Sequence, residues 1–244
     1  MLVKRSKVYN CQLAISLLVI LFFINACAPG NFKNIPKLKG HGETQKLLLM
    51  PMDIQLSILT AGGVLEPEAE WTENATEYVK KAVTEQMNRM NTNILYESDI
   101  EEIALRPEEK EKRLQLIKLH ETVGHSILLH QYNTYYQLPS KHGSSDWSLG
   151  PECKFLKDKY GTDYALFVFL RDSYASGGRV AFAIAAAICG VGVPMGQQVG
   201  FASLVDLSTG QVVWFNLLVR GAGDLRTQEA AENSVKLLLR DFPK

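Results

Sequence analysis

The residues of this chain that could do chemistry are best judged by their spacing. His120-Glu121-Thr122-Val123-Gly124-His125 holds two imidazoles and a carboxylate. The histidines are five positions apart, one more than a zinc-protease helix uses. On a helix they lie about 140° apart, so they do not share one ion. Glu121 and His125 are four apart and suit a pair on a helical face. His142, Ser144, Ser145 and Asp146 carry the letters of a nucleophile, its base and an orienting acid, all in one loop. Nucleophilic triads assemble from distant segments, and there is no G-x-S-x-G elbow here. Gly190-Val191-Gly192-Val193-Pro194-Met195-Gly196 has its third glycine one place late for a dinucleotide loop, with Pro194 in the turn. No G-K-[ST] phosphate loop accompanies it. Asp172, Ser173, Tyr174 and Arg179 follow an apolar run and form a candidate binding rim, the best-placed polar group for a small ligand. Cys153 and Cys189 are a candidate disulfide in an oxidising compartment; Cys189, in an apolar stretch, is otherwise a small packing residue. These patterns predict no metal, no cofactor and no catalytic residue.

The elements that position these residues centre on Asp163–Arg220. Tyr164–Leu170 is rich in Phe, Val and Leu and reads as a central strand. Val199–Leu207 and Gln211–Val219 read as two more. The turn between them, Asp206-Leu207-Ser208-Thr209-Gly210-Gln211, places Gly210 where a type I turn needs a left-handed residue. Upstream, Lys46–Met52 is a short apolar run suited to a buried strand, and Asp53–Glu70 reads as a loop with at most one extended piece. Thr72 is the expected cap of a helix whose stripe is Ala75, Tyr78, Val79, Ala82, Val83 and Met87. Asn93–Glu97 follows as a strand, and Ser98–Glu101 has capping-box spacing for a short helix. Pro107 opens a helix expected to run to about Tyr136, with Leu116, Leu119, Val123, Ile127 and His130 inward. Trp147 is expected to anchor the Pro139–Gly150 loop. Pro151–Tyr160 is a short helix closed by Gly161. Asp224 is the expected cap of the last helix, with Ala231, Val235, Leu238 and Phe242 on one side.

Between the central strand and the final hairpin lies the insert 179–200. Its core, Val180–Val193, has no charged residue. Fourteen residues are too few to cross a bilayer of about 30 Å as a helix. Val180, Phe182, Ile184 and Ile188 fit a strand's alternation. Val180, Ile184 and Ile188 alone fit a helix, which the alanine content favours. The segment is either an apolar element folded onto the domain or a contact surface for a membrane or partner.

The N-terminus supplies an address. Lys4, Arg5 and Lys7 precede Leu13–Ile24, an uncharged run of twelve, the length of a signal-peptide core. Ile24-Asn25-Ala26-Cys27 then resembles the lipobox of bacterial lipoproteins. That resemblance implies cleavage after Ala26, a diacylglyceryl thioether on Cys27 and acylation, such as palmitate, of the new N-terminus. Ala28 stands where Asp marks inner-membrane retention in many such proteins, so the family rule implies the outer membrane, facing the periplasm. The alternative is the outer leaflet of the inner membrane. Ala28–Thr44 is rich in Pro, Gly, Asn and Lys and reads as a flexible tether.

The residues Tyr160-Gly161-Thr162-Asp163-Tyr164-Ala165-Leu166-Phe167, with Leu204-Val205-Asp206-Leu207-Ser208-Thr209-Gly210-Gln211-Val212-Val213-Trp214, resemble the back half of several periplasmic lipoproteins. These are the curli secretion-channel (CsgG-type) lipoprotein, the penicillin-binding-protein activator lipoproteins and uncharacterised lipoproteins of similar pattern. They share an α/β unit related to the N-terminal domain of the Tol–Pal translocation protein. The resemblance implies a scaffold or assembly role without catalytic residues. The insert here is shorter than the channel protein's barrel-forming hairpin and lacks its alternation.

The 244 residues, 46% apolar and 21% charged, suit one folded domain. The whole chain has 26 basic and 26 acidic residues; losing Lys4, Arg5 and Lys7 with the leader leaves a net charge of −3. That mild acidity carries no nucleic-acid footprint. The expected organisation is a lipoprotein signal peptide at 1–26, a tether at 27–45 and an α/β (α+β) domain at 46–244. Its mixed sheet has antiparallel C-terminal strands and is covered by helices. The expected function is a non-enzymatic envelope scaffold that meets envelope proteins or copies of itself. The alternatives are an envelope hydrolase or carbohydrate-binding enzyme, and a subunit of a ring-forming secretion component.

Overall fold

The computed structural model describes residues 32–33, 46–96, 105–141, 144–221 and 223–243. The unbroken apolar run from Tyr164 becomes the middle strand of a mixed sheet, buried on both faces as such a run requires. The strands are β1 (Phe32–Lys33), β2 (Lys46–Leu49), β3 (Asp53–Leu59), β4 (Leu65–Pro67), β5 (Asn93–Tyr96), β6 (Tyr164–Ala175), β7 (Gly196–Asp206) and β8 (Val212–Arg220). Their main path is β1-β8-β7-β6-β2-β5, with β3 on the same side of β6 as β2 and β4 paired to β3. β2 lies parallel to the first part of β6 and β3 to the rest. β6, β7, β8 and β1 are successive antiparallel neighbours.

Side-chain alternation along β6 divides the core. Tyr164, Leu166, Val168 and Leu170 face one layer, made by α1 (Ala69–Arg89) and α5 (Gln228–Leu238). Ala165, Phe167 and Phe169 face the other, made by α2 (Pro107–His130) and α3 (Lys154–Tyr160). A fifth helix, α4 (Gly177–Ile188), belongs to neither layer.

Most of the expected elements are present, with informative differences. Asp53–Glu70 is a β-hairpin followed by the start of α1, because β3 finds backbone partners along the upper half of β6. α1 opens after Glu68, and Thr72 lies inside its first turn. The Thr72 hydroxyl donates to the Glu68 carbonyl at 2.7 Å and accepts from the Leu56 amide at 2.9 Å, tying helix to strand. α2 is opened by Pro107 as expected, but it ends at His130, with a separate 3₁₀ turn at Thr134–Tyr136. Its buried face is Leu116, His120, Gly124 and Ile127, rotated from the expected stripe. The reason is local: a Cβ on Gly124 would lie 2.1 Å from the Phe201 ring, so this glycine admits the helix against the sheet. Phe201 is stacked between Phe169 and Phe215, at 4.6 and 5.5 Å. Gly210 has φ +73°, the left-handed turn residue the sequence requires. The cap of α5 is Thr227, whose hydroxyl accepts from the Ala230 amide. The Asp224 carboxylate instead accepts from Arg226.

Within the stretch expected to be a tether, Phe32–Lys33 is paired to β8 at Phe215 and Trp214. The helix expected from Ser98 lies outside the described residues.

Candidate contact surface at one pole of the sheet

The chain leaves β6 at Ala175 and returns in β7 at Gly196, and α4 fills the interval. Its start is explicit: the Ser176 hydroxyl accepts from the Arg179 amide at 3.1 Å, an N-cap bond. Its end is a Schellman motif. Gly190, at φ +75°, donates to the Ala187 carbonyl, and Val191 donates to Ala186. The alanine-rich body between these caps is strongly helix-forming, which settles the ambiguity of the insert as helix.

Arg179 rivets this element to its surroundings. Its guanidinium donates to the carbonyls of Pro194 at 3.0 Å and Ala61 at 3.5 Å. The Ser176 amide donates to Leu59. The tip of the β3–β4 hairpin, with exposed Val64 and Leu65, therefore lies beside α4. No residue of α4 is buried: Phe182 is 53% exposed, Ile184 62% and Ile188 84%. Val180, Val191 and Met195 are exposed as well. Exposed apolar side chains gathered on one helix in this way make α4 the candidate contact surface.

The candidate rim does not form. Asp172, Ser173 and Tyr174 belong to β6 itself, because its pairing with β3 and β7 runs to the strand's end. Alternation sends Ser173 to one face and Asp172 and Tyr174 to the other. Asp172, only 2% exposed, accepts from the Tyr174 hydroxyl, from Gln198 at 2.9 Å and from the Leu225 amide at 3.1 Å. Gln198 in turn accepts from the Ser234 hydroxyl on α5 at 3.0 Å. Burial raises the Asp172 carboxyl above the usual range, against the pull of those hydrogen bonds. This is a structural network joining β6, β7 and α5. On the opposite face, Ser173 exchanges hydrogen bonds with the Gln197 backbone. There Gln55, Ser57, Arg171, Ser173 and Gln197, together with Leu65 and Val199, line a depression of about 290 Å³. Arg171, within that lining, pairs with Asp53 at 2.8 Å.

The histidines are structural too. His120 is buried between Phe167 and Phe201, and its Nε2 lies 2.9 Å from the Ser203 hydroxyl. Desolvation lowers its pKa to about 3, opposed only by Asp53. His125 lies edge-on to Phe169 and Phe201. No cluster suited to a metal occurs among the described residues. His142 lies outside those residues; its neighbour Ser144 donates to Asp146, which Lys141 also holds. Trp147 anchors that loop as expected, donating to Gln131 at 2.7 Å. Cys153 and Cys189 are both free, which corrects the candidate disulfide. Cys153 is buried beneath the start of β6, whereas Cys189 is exposed beyond its end, on the order of 40 Å along a strand of twelve residues.

Sequence reasoning missed the β3–β4 hairpin tip and the ion cluster of Asp53, Lys118, Glu121 and Arg171. The run Asp53–Leu59 alternates, which was the available signal.

The chain matches no family model and no curated protein. Among solved structures, it is similar to the PelC dodecamer from Paraburkholderia phytofirmans, at 10% identity over 86% of this chain and 94% of that one, with a TM-score of 0.37. Lipoprotein GNA1162 from Neisseria meningitidis is similar at 12% identity over 72% and 81%, with a TM-score of 0.29. The LpoB C-terminal domain from Salmonella enterica is similar at 12% identity over 75% and 86%, with a TM-score of 0.30. The solved structures similar to this chain thus include a lipoprotein.

Proposed function

We propose that this protein is a lipid-anchored, periplasm-facing lipoprotein of a bacterial envelope, acting as a non-catalytic scaffold or assembly factor. The observation that carries this reading is Cys27 placed directly behind a signal-length apolar run, in Ile24-Asn25-Ala26-Cys27. Cleavage after Ala26 and acylation at Cys27 would attach more than one chain, as firm anchoring needs. Ala28 favours the outer membrane. The folded body suits work by contact: its polar clusters at Asp172 and His120 are committed to internal bonds, while its apolar side chains gather on an exposed helix. Its partners are the membrane, through the lipid, and envelope proteins or further copies of the chain.

Metabolic labelling with radioactive palmitate tests this. The wild-type chain should incorporate label, and Cys27→Ser should incorporate none. Equal labelling of the two, or no labelling of the wild type, would overturn the anchor.

A further inference from the structure

We infer that the depression where β3, β6 and β7 run side by side is a binding site for one ring of a neutral glycan. This goes beyond the scaffold reading and does not depend on the lipid. The strand registers build the site. Ser57, Ser173 and Gln197 stand opposite one another on the three strands, and Gln55, Arg171 and Val199 form the next such row. Neighbouring strands lie about 4.8 Å apart and the two rows about 7 Å apart, so together they make a floor of about 10 Å by 7 Å. Along β6 this face changes character: Phe167 and Phe169 lie in the apolar layer, whereas Arg171 and Ser173 line the depression. The hollow is a matter of side-chain size. Ser57 and Ser173 are short, and Gln55, Arg171, Gln197 and Leu65 around them are long, so the middle sinks. The resulting volume of about 290 Å³ stands at the small end of ligand pockets.

The chemistry of the lining selects an uncharged ligand rich in hydroxyls. Arg171 is not free for an anion. Its guanidinium donates to the main-chain carbonyls of Asp53 at 2.9 Å and Leu170 at 3.0 Å, and it pairs with the Asp53 carboxylate at 2.8 Å. Glu121 lies 3.7 Å from it, and Lys118 pairs with both carboxylates, so the cluster is neutral as a whole. The Asp172 carboxylate, which alternation turns to the other face, is held there by Gln198. What remains for a ligand carries no charge. Ser57, 5% exposed, accepts from the Gln55 amide nitrogen at 3.5 Å, and its own proton has no acceptor among the described residues. The Gln55 amide oxygen and both ends of the Gln197 side-chain amide likewise have no partner there. Donors and acceptors thus alternate across the floor at spacings of about 5–10 Å, and a partner for each is favourable. A hydroxyl both donates and accepts. A ring carrying several hydroxyls therefore satisfies the array without bringing charge, and Leu65 and Val199 offer apolar contact to its C–H groups.

Saturation-transfer NMR tests this on the purified chain, held in a detergent without a sugar headgroup. Maltotriose and chitotriose, both uncharged, are the probes. The inference predicts saturation transfer to the ring protons of at least one of them. Gln55→Ala together with Gln197→Ala should weaken that binding about tenfold, because two ligand hydrogen bonds are lost. Gln197→Ala alone, at an exposed position that leaves the core intact, should weaken it about threefold and keeps the test if the double variant is unstable. Inorganic phosphate should not compete. No transfer to either sugar, or transfer undiminished in the variants, would overturn the inference. Displacement of the sugar by phosphate would assign the site to an anion and overturn it as well.

Discussion

The Nε2 atom of His120 lies 2.9 Å from the hydroxyl oxygen of Ser203, joining α2 to β7 inside an otherwise apolar layer. Burial lowers the folded imidazole pKa from 6.5 to about 3, so the folded protein keeps it neutral where an unfolded chain would protonate it. The unfolded state then binds more protons between those values, and stability falls as pH drops from about 6.5 toward 3. Above 6.5 this contribution is fully present. Denaturant unfolding at stepped pH should show that slope, at most about 1.4 kcal/mol per pH unit from this group. His120→Gln should flatten it. An unchanged slope would remove His120 as its source.

Gly124→Ala should destabilise the fold, although alanine is the better helix former by about 1 kcal/mol. The added Cβ meets Phe201 at 2.1 Å, and that ring is fixed in a stack. Overpacking of this kind costs about 1–3 kcal/mol, and the urea midpoint reads it. A midpoint at or above wild type would contradict the packing of α2.

Asp172→Ala should cost about 1–3 kcal/mol, because Gln198, Tyr174 and the Leu225 amide lose a buried acceptor together. Ser173→Ala, one residue away on the other face, should stay within about 0.5 kcal/mol. Comparable losses at both positions would contradict the opposite orientations.

Thiol titration of the folded mature chain should find Cys189 reactive with maleimide and Cys153 reactive only after unfolding. Burial pushes the Cys153 thiol up to about 12, so it presents almost no thiolate near neutral pH. Reductant should not change the count. A rise on reduction would restore the disulfide.

The sheet was legible because its strongest signals are local. Tyr164–Leu170 has no competing reading as an apolar run, and Gly210 marks its turn by backbone conformation alone. The face of α2 was not legible. Leu119 and Val123 outweigh His120 and Gly124 in hydrophobicity, yet the close approach to Phe201 and the bond to Ser203 decide the rotation, and both partners lie some 80 residues later. The same applies to β3, whose strand character depends on β6. At the contact surface, the apolar residues Val180, Phe182, Ile184 and Ile188 were visible in the sequence. Their helical caps and their exposure required the fold. The rim of Asp172 and Tyr174 was misplaced because β6 continues past Leu170 through polar residues, held in strand by its two neighbours.

The intact mass of the mature protein extracted from membranes tests the central claim most directly. The account predicts a chain beginning at Cys27 and heavier than its amino acids by a diacylglycerol thioether and an N-terminal acyl group. A chain that begins elsewhere, or begins at Cys27 with no added lipid, would contradict it.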